Sequence, residues 1–113
     1  MFASSIKAIV GAALFVGASV ASAQTVTYFQ SEFNCNNGAI IFSWDYSNAS
    51  SVVLQRNLFS SWSTIYQGAG FGFIYNNQTR GTTSTYRLQA CSGTTCGDYQ
   101  YVTVQSPLHC VTQ

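Results

Sequence analysis

Residues 85–104, TYRLQACSGTTCGDYQYVTV, read as two strands folded back on each other. Tyr86, Leu88 and Ala90 alternate with Arg87, Gln89 and Cys91; past a turn, Val102 and Val104 alternate with Tyr101 and Thr103. Successive side chains on a strand point to opposite faces, so a period of two marks half-buried strands. Cys91 and Cys96 enclose Ser92, Gly93, Thr94 and Thr95, which are turn residues. The rest of the chain must then supply strands that pack onto this hairpin.

Upstream segments meet that need. Residues 25–32 (TVTYFQSE) are rich in β-branched and aromatic side chains. Residues 39–45 (AIIFSWD) form a strand with Ile40, Phe42 and Trp44 inward, and residues 51–57 (SVVLQRN) one with Val52 and Leu54 inward. Residues 62–67 (WSTIYQ) place Ile65 inward by alternation, and residues 71–75 (FGFIY) read as a short, buried edge strand. Turns fall at 35–38, 46–50 and 58–61, and a polar loop at 76–84. Pro107 ends the last strand because it cannot donate to a ladder. No mature segment carries an apolar stripe of helical period. The pattern predicts an all-β chain, a seven-stranded antiparallel β-sandwich.

The first residues read differently. Lys7 precedes a small, apolar run over 8–20, and Ala21-Ser22-Ala23 fits a cleavage site. The run is shorter than the ~20 apolar residues a membrane span needs. The expectation is a signal peptide over 1–23 and one domain over 24–113, secreted to the extracellular space or to a Gram-negative periplasm. In that mature chain Arg56, Arg80 and Arg87 balance Glu32, Asp45 and Asp98, and no lysine remains. Such neutrality offers no electrostatic footprint for nucleic acid or anionic membrane, and it makes self-association a risk. Four cysteines in a small exported chain suggest two disulfides, and three pairings are open.

Candidate chemistry is sparse. The single histidine, His109, lies beside Cys110, and neighbours on an extended strand face apart, so no metal site is expected. A serine triad needs a histidine held by a carboxylate, and His109 reads as a surface residue at the chain's end. Glu32, Asp45 and Asp98 fall on different strands, and there is no phosphate loop. No catalytic residue and no cofactor are expected. Asn48-Ala49-Ser50 and Asn77-Gln78-Thr79 match the N-glycosylation pattern, at the frequency composition alone would give.

The order of features resembles the fibronectin type III module, an immunoglobulin-like sandwich. Trp44 in IIFSWD resembles its core tryptophan, SVVLQR its third strand, with Val52 in place of the usual aromatic, and WSTIYQG the strand that follows. TYRLQA resembles its sixth strand, with Tyr86 as the tyrosine-corner residue. The resemblance covers residues 24–113; the four cysteines depart from it. In that topology Cys35 and Cys110 end at one pole and Cys91 and Cys96 at the other, which implies the pairs Cys35–Cys110 and Cys91–Cys96.

The resemblance also implies the sheet order fourth–third–sixth–seventh. Alternation on that sheet turns Val53, Gln55, Trp62, Thr64, Tyr66, Arg87, Gln89, Tyr99, Tyr101 and Thr103 outward. The candidate binding residues are Trp62, Tyr66, Tyr99 and Tyr101, flanking a strip of Gln55, Arg87 and Gln89. Flat aromatics stack on sugar rings or on a protein, and amides and guanidinium groups give oriented hydrogen bonds. The expected function is a secreted, non-catalytic binding module for an extracellular protein or surface. The alternatives are a carbohydrate-binding protein using the aromatic face, and an effector or inhibitor aimed at another organism's protein. The tripeptide Arg-Gly-Asp of adhesive family members is missing, so integrin-type adhesion is not implied.

Overall fold

The structure, a computed structural model, describes residues 23–110. The expected signal peptide therefore lies outside the described residues but for Ala23, as do the last three residues of the expected domain. Eight strands form two sheets, and no helix is present among the described residues. One sheet has the order β1–β2–β5, with β1 at Thr25–Phe33, β2 at Ile40–Ser47 and β5 at Gly72–Tyr75. The other has the order β4–β3–β6, with β7 and β8 both pairing β6. Its strands are β3 (Ser51–Leu58), β4 (Ser61–Gly68), β6 (Thr82–Ser92), β7 (Thr95–Cys96) and β8 (Gln100–Ser106). All pairings are antiparallel.

Alternation builds the core between the sheets. Ile40, Phe42 and Trp44 of β2 meet Val52 and Leu54 of β3, Tyr86, Leu88 and Ala90 of β6, and Val104 of β8. The Phe42 and Tyr86 rings lie 4.7 Å apart, and the buried indole N–H of Trp44 donates to the Gly70 carbonyl at 2.9 Å. Each large apolar side chain buried here stabilises the fold by roughly 1.5–3 kcal/mol.

Eight strands stand where seven were expected because the last strand is divided. Cys91 pairs with Cys96 across a two-residue turn, yet Leu88 pairs with Gln100. Gly97, Asp98 and Tyr99 therefore oppose only Gln89 and Ala90, one residue too many for an unbroken ladder. The bulge is held by Gly97 N–H donating to the Ala90 carbonyl at 2.9 Å and by Gln89 Nε2 donating to the Gly97 carbonyl at 3.0 Å. A side chain at Gly97 would collide with the Gln24 backbone.

A second bulge re-aims β4. Leu54 pairs with Tyr66 and Gln55 with Thr64, so Ile65 is the extra residue. Ile65 and Tyr66 then both pack toward the core. Residues 71–75 are an edge strand, as expected, paired with β2 alone and starting at Gly72. Only the inner side is covered: Phe73 and Tyr75 are half-buried, whereas Phe71 and Ile74 are exposed.

Both disulfides pair as expected. Cys35–Cys110 has its Cα atoms 5.8 Å apart, and Cys91–Cys96 staples directly opposed residues at 4.1 Å. Cys91, outward by alternation, is buried, with its sulfur 4.0 Å from Gln89 Oε1. Arg80 ties down the first pole, with Nη2 donating to the Cys35 carbonyl at 2.7 Å and its guanidinium over the Phe33 ring.

Candidate binding face

Four strands bring the site together through register. Arg87 on β6 lies opposite Gln55 on β3 and opposite Tyr101 on β8, and directly opposed residues share a face. Trp62 is on β4, opposite Asn57, and Tyr99, just before β8, shares the parity of Tyr101.

The side chains interlock. The Arg87 guanidinium carbon lies 4.1 Å from the Trp62 ring centroid and 3.9 Å from that of Tyr99, so the cation sits between two rings. Such contacts are worth about 0.5–1 kcal/mol each at exposed sites. Arg87 Nε donates to Gln55 Oε1 at 2.7 Å, and Gln55 Nε2 donates to Thr64 Oγ1 at 3.1 Å. Tyr101 closes the cluster, with its centroid 6.1 Å from Trp62 and 6.2 Å from Tyr99, and is 57% exposed.

Two expected members do other work. Tyr66 does not face outward. The Ile65 bulge turns it inward, where its ring lies 5.6 Å from Trp44 and 5.1 Å from Phe73. Its hydroxyl accepts the Gly70 N–H at 3.0 Å, and a Cβ at Gly68 or Gly70 would come within 2.8 Å of that oxygen. Gln89 keeps its place on the outer side but braces the Gly97 carbonyl. Trp62, Gln55, Arg87, Tyr99 and Tyr101 form one cluster.

A polar network inside the sandwich escaped the sequence. Tyr86 Oη donates to Gln78 Oε1 at 2.6 Å, and Gln78 Nε2 donates to the carbonyls of Thr82 and Val104 at 3.0 and 2.9 Å. The tyrosine-corner position thus ties to a buried glutamine side chain. Arg56, also buried, donates to Ser84 Oγ, Tyr75 Oη and the Asn77 carbonyl. Burial pushes the Tyr86 phenol up to about 12; Arg56 lowers it and Tyr75 raises it by smaller amounts. Arg56 shares the parity of Val52 and Leu54, so its inward aim was legible. Nothing in a polar loop distinguishes Gln78.

No family model matches the chain, and no curated protein matches it. Solved structures do. The sixth fibronectin type III domain of human fibronectin type III domain containing protein 3 aligns at TM-score 0.66 and 21% identity, covering 86% of this chain and 98% of that one. The FN3tt crystal structure aligns at TM-score 0.66 and 13% identity over 73% of this chain and 91% of that one, and a mutant of FN3tt at 0.65. At these identities the likeness establishes the fold.

Proposed function

We propose that this chain, which has a fibronectin type III-like fold, is a secreted, non-catalytic interaction module that binds an extracellular protein through the Trp62–Arg87–Tyr99–Tyr101 face. The observation that carries the reading is the Arg87 guanidinium held between the Trp62 and Tyr99 rings. Trp, Tyr and Arg are the residues that dominate protein interfaces. Here they are locked against one another and cost little entropy to order on binding. The two disulfides accord with an oxidising compartment outside the cytoplasm.

A polysaccharide ligand is the less favoured reading. Stacking on sugar needs open ring faces. The ring faces of Trp62 and Tyr99 that meet Arg87 are occupied, which leaves Tyr101 as the most exposed ring of the cluster.

The test is capture by the immobilised protein from extracellular material of its source, run beside insoluble chitin, cellulose, β-glucan and peptidoglycan. The expected result is a retained protein that Tyr101→Ala loses while staying folded. Retention on one polymer, lost in the same variant, replaces this reading with the polysaccharide one.

A further inference from the structure

Resting on the binding face just described, we propose that the partner presents a single carboxylate, from an Asp or Glu beside an apolar side chain, to the terminal nitrogens of Arg87. Strands β3, β4, β6 and β8 contain no Asp or Glu. Their only charged residues are Arg56, which is buried inward, and Arg87. Among the described residues, Arg87 is therefore the one charged side chain that these strands present on their outer face. Glu32 and Asp45 belong to the other sheet, and Asp98 lies in the bulge before β8. Among the described residues no carboxylate pairs with Arg87; its hydrogen bond is through Nε to Gln55.

That arrangement leaves the fork of terminal N–H groups for a partner. A planar guanidinium matches a carboxylate with two parallel hydrogen bonds, and such charge-assisted pairs are the strong ones. The rings of Trp62 and Tyr99 cover both faces of the guanidinium, so an acceptor approaches in its plane. Gln55 fixes the rotation of that plane.

The number of charges selects the class of anion. A polyanion such as a nucleic acid or a sulfated glycan needs a stripe of cations. This face has one, because Arg80 is engaged at the Cys35–Cys110 pole. One cation framed by aromatic rings matches one carboxylate with an apolar neighbour, which is peptide chemistry.

The experiment is panning of a phage-displayed random peptide library on the purified protein. The proposal expects enriched peptides to share one Asp or Glu next to an apolar residue. Changing that acid to its amide should weaken binding by about tenfold or more, the worth of a hydrogen bond to a charged group. This arm leaves the protein untouched, so it is independent of any folding defect. In Arg87→Gln the acidic peptides should bind more weakly, and changing their acid to the amide should cost far less than it does against the unaltered protein, because the charge it paired with is gone. Peptides that are lost with Tyr101→Ala but indifferent to amidation overturn the carboxylate and leave the face standing. Peptides indifferent to both Tyr101→Ala and Arg87→Gln overturn the face itself, and an absence of enrichment overturns the proposal.

Discussion

Arg87 and Trp62 come from strands that are not neighbours, yet the guanidinium carbon lies 4.1 Å from the indole centroid. The long arginine side chain bridges over β3, and Gln55 on that strand holds it by Nε. Because the stack spans three strands, Trp62→Ala should destabilise the protein by about 1–2 kcal/mol, the cation–π contact plus part of the ring's burial. Tyr101→Ala, with its ring more than half exposed, should cost about 1 kcal/mol or less. Urea unfolding of both variants checks the order. A larger loss for Tyr101→Ala would mean that its ring is a packing element.

The β3–β4 hairpin carries a conflict between sequence and backbone. Phe59 and Ser60 have φ of 52° and 68°, the left-handed values a two-residue turn of this kind demands, and Phe59 is 99% exposed. Asn-Gly is the pair suited to that turn. The double variant Phe59→Asn, Ser60→Gly should therefore raise stability by roughly 1–2 kcal/mol, read as a higher urea midpoint. An unchanged or lower midpoint would show that the hairpin is not strained.

The Gln78–Tyr86 pair is the buried polar contact with most at stake. Gln78→Ala removes the acceptor of the Tyr86 hydroxyl and a donor to each of two carbonyls, and a buried group left unpaired costs about 1–3 kcal/mol. Tyr86→Phe alone should cost less. Adding it to Gln78→Ala should recover part of the loss, since the orphaned hydroxyl is then gone. Strictly additive losses in the double-mutant cycle would contradict the coupling.

The same phenol gives a pH dependence. Burial raises Tyr86 from 10.0 to about 12 in the folded protein. The folded state thus holds its proton where the unfolded chain has released it. This contribution to stability is full below pH 10 and is lost as pH rises from 10.0 toward 12. Brief urea titrations across that window should show a decline that Tyr86→Phe reduces. Equal decline in the variant would remove Tyr86 as its cause.

The two disulfides should differ in what they protect. On the chain-entropy model Cys35–Cys110, at a sequence separation of 75, is worth about 4.5 kcal/mol, and Cys91–Cys96, at a separation of 5, about 2. Paired Cys→Ser variants should follow that order in urea. Loss of Cys91–Cys96 should also loosen the bulge next to Tyr99, whose ring lies against Arg87. Its cost in binding should therefore exceed that of removing Cys35–Cys110, whose pole lies away from Tyr99.

Much of this was readable from alternation. Ile40, Phe42, Trp44, Tyr86 and Leu88 are inward because β2 and β6 run without interruption through the core. Gln55, Arg87 and Tyr101 share a face for the same reason. Tyr66 was misplaced because alternation presumes one residue per ladder rung, and nothing in WSTIYQ marks Ile65 as the extra one. The bulge at Gly97 hid likewise, since the Gln24 backbone that leaves no room for a side chain there comes close only in space. Gln78 is buried by tertiary contacts that a polar loop sequence does not encode.

The exposed aliphatic and aromatic residues of the other sheet, Ile74 and Phe71, are the rival surface. The most direct measurement is capture of the proposed partner, from extracellular material of the source, by three immobilised forms: the unaltered protein, Tyr101→Ala and Ile74→Ser. The expected result is retention by the unaltered protein and by Ile74→Ser, and loss with Tyr101→Ala. Retention by Tyr101→Ala with loss in Ile74→Ser would contradict it and move the binding site to the opposite sheet.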